Sequence, residues 1–165
     1  MRLFLLRHAE ASYDAPTDPE RELTPKGEKS IKQLCKFLSR KDFAGLHLIH
    51  HSGYVRARQT AELFRDGLLP ELALAQMHSL TPEDDPRLLG DFLQSAAGDQ
   101  MLVGHNPNLS LLTAWLLTGN PLNECIDFKK SGLLCLERGA MPTTQRPGGI
   151  WNVKWFITKK LFGSE

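Results

Sequence analysis

Arg2-Leu3-Phe4-Leu5-Leu6-Arg7-His8, residues 2–8, is the stretch that decides the fold. Leu3 to Leu6 form an unbroken apolar run, too short for a helix and without polar alternation, which predicts a strand buried on both faces. Its end delivers Arg7 and His8. The pattern returns twice. Leu46 to His50 predicts a second strand, closed by His51 and Ser52 with Arg56 in the first turn of the helix that follows. Met101 to Val103 predicts another, followed by Gly104-His105-Asn106-Pro107, with Pro107 opening a helix.

Between these strands the apolar period changes to that of a helix. Thr24-Pro25 supplies an N-cap and a first helical position, and Ile31, Leu34, Cys35 and Leu38 follow at helical spacing. Ala57, Ala61, Phe64 and Leu68 form the inner stripe of a second helix; Leu89, Phe92, Leu93 and Ala96 mark a third. Leu109, Leu112 and Leu116 lie on a helix that is apolar on most sides. Leu72 to Met77 and Leu133 to Leu136 predict further strands. Trp151, Val153, Trp155 and Ile157 alternate, predicting a last strand with one buried face. Asp14 to Glu22, with Pro16 and Pro19, and Gly139 to Gly149 predict loops. Strands alternating with helices imply an α/β three-layer sandwich: a mostly parallel sheet with helices on both faces. The last two strands lack a helix between them and are expected to pair antiparallel.

In an open α/β sheet, ligands bind beyond the carboxyl ends of the strands. Three such ends carry Arg7, His8, Arg56 and His105 to one rim, together with two helix N-termini that favour anions. Arginine forks suit phosphate oxygens. Any one of these side chains alone is most simply a solvated loop residue; four at three strand ends describe a phosphate pocket.

The 165 residues, 41% of them apolar and 24% charged, fit one globular domain spanning 1–165. A net charge of +1 lacks the basic excess of a nucleic-acid or membrane-surface binder. Cys35, Cys125 and Cys135 are odd in number and form no CxxC, so neither a disulfide framework nor a structural zinc site is expected, and buried thiols in a reducing compartment are. The apolar start is too short for a signal peptide and no membrane-length run occurs, so a cytoplasmic location is expected.

Arg7-His8-Ala9-Glu10-Ala11, Arg21-Glu22-Leu23-Thr24 followed by Gly27, Ser52 to Thr60 (SGYVRARQT), Leu80-Thr81-Pro82 and Val103 to Pro107 (VGHNP), in this order, resemble the histidine phosphatase superfamily and within it the short SixA-type phosphohistidine phosphatases. The resemblance runs from Met1 to about Ile157 and implies a phosphoglycerate-mutase-like fold. It implies that His8 is the nucleophile and becomes phosphorylated, that Arg7, Arg56 and His105 bind the phosphoryl oxygens, and that Arg21 joins them. Two residues depart from the family pattern: Ala9 stands where glycine is usual, and Gly53 where proline is usual. The first is expected to narrow the backbone approach to the phosphate, the second to loosen the loop before Arg56.

A histidine nucleophile must be neutral at the attacking nitrogen, and nearby arginines oppose its protonation. Cationic side chains can do the electrostatic work that a metal does elsewhere, so no metal or other cofactor is expected. An alcohol leaving group needs a proton donor. Glu83 is the candidate acid, with Asp84 and Asp85 beside it; the competing interpretation is a solvated acidic loop. A phosphohistidine substrate relaxes the need, because a protonated imidazole leaves readily. Glu10 is expected to orient the pocket.

Other chemistries fit poorly. His47, His50 and His51 cluster, but neighbours on a strand face opposite ways and no HExxH occurs. Position Cys+6 holds Lys41, Ser131 or Met141, never the arginine of a cysteine phosphatase, and no Walker A loop is present. Trp115, Trp151 and Trp155 lack an accompanying basic stripe and belong to the core. The sequence therefore leaves a monomeric phosphatase acting on a phosphohistidine-bearing protein or a small phosphoester, with a non-catalytic phosphate-binding adaptor as the alternative from another class.

Overall fold

The computed structural model of the chain describes residues 1–163. Six strands form one sheet: β1 (Arg2–Arg7), β2 (Leu46–His51), β3 (Ala73–Gln76), β4 (Asp99–Gly104), β5 (Leu133–Ala140) and β6 (Ile150–Ile157), in the order β3-β2-β4-β1-β5-β6. The first four in that order run parallel; β5 is antiparallel to β1, and β6 to β5. The helices are α1 (Pro25–Phe37), α2 (Val55–Leu68), α3 (Gly90–Ser95), α4 (Asn108–Thr118) and α5 (Lys159–Phe162).

Alternation along β1 explains the three layers. Phe4 and Leu6 join a core with Ile31 and Leu34 of α1, Ala57, Ala61 and Phe64 of α2, and Phe162 of α5. Leu3 and Leu5 join the opposite core with Leu109, Leu112 and Leu116 of α4 and Leu93 of α3. With both faces covered, β1 has no need of polar alternation, which is why RLFLL reads as a continuous run.

Several expectations are corrected. Strand β6 does not present one buried face. Its pairing with β5 slips between Val153 and Trp155, so that Trp151 packs with the α4 core and Trp155 and Ile157 with the α1–α2 core. One extra residue at a bulge reverses every side chain beyond it, and Val153 is left exposed. Pro107 precedes α4 as its N-cap residue. The third helical stretch divides into a 3-10 turn, Pro86–Leu89, and the short α3, with Ala96 capping it. Gly139 extends β5 instead of starting the loop. Cys35 and Cys135 are buried as expected, but Cys125 is exposed. Among the described residues, no helix is long and apolar enough to cross a membrane.

Helix α1 is joined to the segment after His8. Thr24 Oγ1 accepts from the Gly27 amide at 3.0 Å, and the Thr24 amide donates to the Glu10 carbonyl at 2.9 Å. A Cβ at Gly27 would meet that carbonyl oxygen at 2.2 Å, so glycine is what lets the helix approach.

Candidate active site

The strand order makes β2, β4 and β1 neighbours, so the three ends picked out by sequence are contiguous. Backbone bonds continue the sheet into the rim: the His8 amide donates to the Gly104 carbonyl at 3.0 Å, and the Ser52 amide to the Val103 carbonyl at 3.3 Å. His8, Arg56 and His105 are buried there, with 6%, 4% and 1% of their surface exposed, too little for solvated loop residues.

Two bonds fix the His8 tautomer. Nδ1 lies 2.7 Å from the Ala9 carbonyl, which only accepts, so Nδ1 carries the proton. Arg56 Nε lies 3.3 Å from His8 Nε2 and only donates, so Nε2 carries the lone pair. The histidine is thus neutral, with its free electron pair turned toward an arginine. The His105 ring lies 4.9 Å from it, centre to centre. His105 Nε2 is 2.6 Å from Ser52 Oγ, and the Tyr54 amide donates to that same oxygen at 3.3 Å. Arg7 donates to the Phe128 carbonyl. Its Nε, like Nδ1 of His105, is a buried polar atom without a hydrogen-bond partner among the described residues. Buried polar atoms are seldom left unmatched, and the unmatched Arg7 Nε, which can only donate, suits an oxyanion.

The sequence profile of the histidine phosphatase superfamily, branch 1, matches residues 3–81, a stretch that holds His8, Arg21 and Arg56. The phosphohistidine phosphatase SixA of Escherichia coli strain K12 is 28% identical over 123 residues, covering 72% of this chain and 76% of that protein. A structure of SixA complexed with tungstate superposes with a TM-score of 0.79 at 25% identity, over 98% of this chain and 99% of that one. The chain is thus similar to the histidine phosphatase superfamily in sequence over residues 3–81 and to SixA in fold over nearly its whole length. The fold is also shared with a putative SixA from Agrobacterium tumefaciens, at a TM-score of 0.73 and 23% identity, covering 95% of this chain and 97% of that one.

The residues flanking the rim differ in what they touch. Asp18 was not singled out by sequence, since nothing distinguishes it from other acids in the polar 14–22 loop. Its carboxylate bridges two arginines, with Oδ2 2.9 Å from Arg56 and Oδ1 2.9 Å from Arg21, and its carbonyl accepts from Arg56 at 2.6 Å. Burial raises the Asp18 pKa, but the bonds from Arg21 and Arg56 outweigh it and hold the group below the usual carboxylate range. Among the described residues, Arg21 is joined to the site through Asp18. Its other bonds go to the carbonyls of Ser12 and Ala11, and its guanidinium lies 3.9 Å from the Tyr13 ring centre.

Glu10 receives Lys26 at 3.1 Å and the Thr24 hydroxyl at 3.1 Å, so it fastens the start of α1 beside the site. Ala9 points its methyl into the α1–α2 core and donates its amide to Thr60 Oγ1 at 3.1 Å. Gly53 has φ +88°, which proline cannot adopt, so the departure from the family pattern marks a different backbone path before α2. Glu83 is exposed at the crest of a turn. The Asp84 amide donates to the Thr81 carbonyl at 3.3 Å, and Asp84 Oδ2 accepts from the Thr81 hydroxyl at 2.7 Å. Asn108 donates to the Asp84 carbonyl at 2.9 Å, which anchors this turn to α4 beside His105.

The His8 pKa is pushed down to about 3, first by burial and then by Arg56, Arg7 and Lys130, against the bond to Ala9 that raises it. Sequence identified the arginines as the cause; burial is the larger one. The His105 pKa is pushed down to about 2, by burial and then by His8 and Arg56. In the unfolded chain each takes a proton near pH 6.5. Between there and the folded values the unfolded state binds more protons, so stability falls as pH falls. The loss is up to about 1.4 kcal/mol per pH unit for each histidine. Urea midpoints between pH 7 and pH 4.5 are expected to drop accordingly, and His8→Gln to flatten that drop. An unchanged slope would mean His8 protonates freely in the fold.

Proposed function

We propose that this chain is a histidine phosphatase that takes a phosphoryl group onto Nε2 of His8 and releases it to water, and that its substrate is a phosphohistidine on a protein. The opposed bonds on His8, Nδ1 donating to Ala9 and Nε2 facing Arg56, carry the first part: they hold an electron pair ready at a buried nitrogen. In-line attack forms the bond from Nε2 to phosphorus as the bond to the leaving group breaks. Arg7, Arg56 and His105 then share the charge on the equatorial oxygens. Tungstate, named with the related SixA, is a tetrahedral oxyanion of the kind such a pocket accepts.

The acids around the rim support the choice of substrate. Asp18 is kept ionised by two arginines and is a poor proton donor. Glu83, the candidate acid, sits exposed on its turn and is not buried beside His8. An alkoxide leaving group needs a placed acid; an imidazole protonated on its far nitrogen does not. Rates should therefore be higher on a phosphohistidine-bearing carrier domain than on sugar phosphates, with EDTA leaving both unchanged. Faster turnover of the sugar phosphates would assign the chain to small phosphoesters, and loss of activity in EDTA restored by a divalent ion would contradict the metal-free mechanism.

A further inference from the structure

Between β2 and α2, the turn Ser52-Gly53-Tyr54 touches the His105 ring twice. Ser52 Oγ lies 2.6 Å from His105 Nε2, and the Tyr54 ring centre lies 5.0 Å from that of His105. The backbone holds both contacts in place. Gly53, at φ +88°, donates its amide to His51 Nδ1 at 3.2 Å, and the Tyr54 amide donates to Ser52 Oγ at 3.3 Å. Ser52 is 3% exposed and His105 1%, so the bond between them is shut away from bulk water.

Counting hydrogens decides which way that bond runs. A serine hydroxyl carries one hydrogen and two lone pairs, and a neutral imidazole carries one N–H. The Tyr54 amide takes one lone pair of Ser52. An imidazole hydrogen on Nε2 would take the other. The Ser52 hydrogen would then be buried with no acceptor among the described residues, and His105 Nδ1 would keep a lone pair with no donor. With the Ser52 hydrogen turned to Nε2, a single group is left unmatched, the N–H on Nδ1. Each unmatched buried group is costly, so the second arrangement is the stable one. A doubly protonated ring would strand the Ser52 hydrogen as well, and burial already pushes the His105 pKa down to about 2.

We propose that Ser52 is a positioning residue: its hydroxyl donates to Nε2 of His105 and so places the single imidazole hydrogen on Nδ1, which gives it to an oxygen of the phosphoryl group. This rests on the phosphoryl transfer to His8 proposed above and names the residue that prepares His105 for it. The His105 ring lies 4.9 Å from that of His8, whose Nε2 faces Arg56. A phosphoryl oxygen offers lone pairs. A bare Nδ1 would repel it, whereas an Nδ1–H donates to it. The two histidines thus hold the same tautomer and use opposite parts of it: His8 its lone pair on Nε2, His105 its hydrogen on Nδ1. A neighbour imposes each one, the Ala9 carbonyl on His8 and the amide-anchored Ser52 hydroxyl on His105.

Nitrogen NMR of the chain labelled at its histidine rings reads each ring nitrogen separately, and a His105→Gln sample assigns the signals. His105 is expected to be protonated at Nδ1 and bare at Nε2. Ser52→Ala is expected to lose that preference, the two tautomers mixing. The same variant should bind tungstate about tenfold more weakly and lower kcat about tenfold, the worth of one hydrogen bond to a charged group. Wild-type His105 protonated at Nε2, or at both nitrogens, would overturn the proposal whatever the activity, and that measurement stands even if Ser52→Ala does not fold. A folded Ser52→Ala chain that keeps the hydrogen on Nδ1 would overturn it too, because Ser52 would then only pack. With the expected tautomer in place but no transfer from any phosphoryl donor, the phosphatase reading itself would fall, and with it the acceptor assigned to Nδ1.

Discussion

His8→Ala is expected to abolish phosphoryl transfer, lowering kcat by on the order of 10⁴-fold or more, because it removes the electron pair that His8 Nε2 holds against Arg56. Arg7 and Arg56 are donors only and cannot replace it. The measurement is a quench after mixing with a labelled phosphoryl donor: the wild-type chain should carry acid-labile, alkali-stable label, and the variant none. His8 is in direct contact with Arg56 and packs near His105, so the variant's fold should be checked by its thermal transition. Residual turnover within tenfold of wild type in a folded variant would remove His8 as nucleophile.

Arg56→Ala is expected to cost about 10³-fold in kcat, the order seen when a donor to transition-state charge is deleted. Arg56→Lys should recover little. The guanidinium uses Nε for His8 and both terminal nitrogens for Asp18, a fork that a single ammonium cannot reproduce. A second consequence follows from the electrostatics. Arg56 is one of the charges holding the His8 pKa down, so its removal should move the acid limb of the pH–rate profile to higher pH. A rate loss without that movement would mean that Arg56 binds substrate but does not act on the nucleophile.

Much of the layout was legible locally. The run at Leu3–Leu6 and its counterparts at 46–50 and 101–103 marked three strands, because burial on both faces leaves an unbroken apolar signature. Thr24-Pro25 marked the start of α1, since capping is decided within one turn. The bulge in β6 was not legible. Trp151, Val153, Trp155 and Ile157 alternate in sequence, and only pairing against β5 displaces the register. Asp18 and Tyr54 were missed for a related reason. Asp18 meets Arg56 from 38 positions away, and Tyr54 meets His105 across two strand ends. No period or cap records such contacts.

Sequence by itself thus determined which residues stand at the strand ends, His8 among them, because hydrophobic runs and the residues that stop them are local properties. Tertiary structure alone decided that β2, β4 and β1 lie side by side, so that His8, Arg56 and His105 share one buried rim. It also decided that His8 is neutral with its electron pair on Nε2. A tautomer depends on which donor and which acceptor the fold brings to the two ring nitrogens, and Arg56 reaches Nε2 only once the sheet has closed the distance between them.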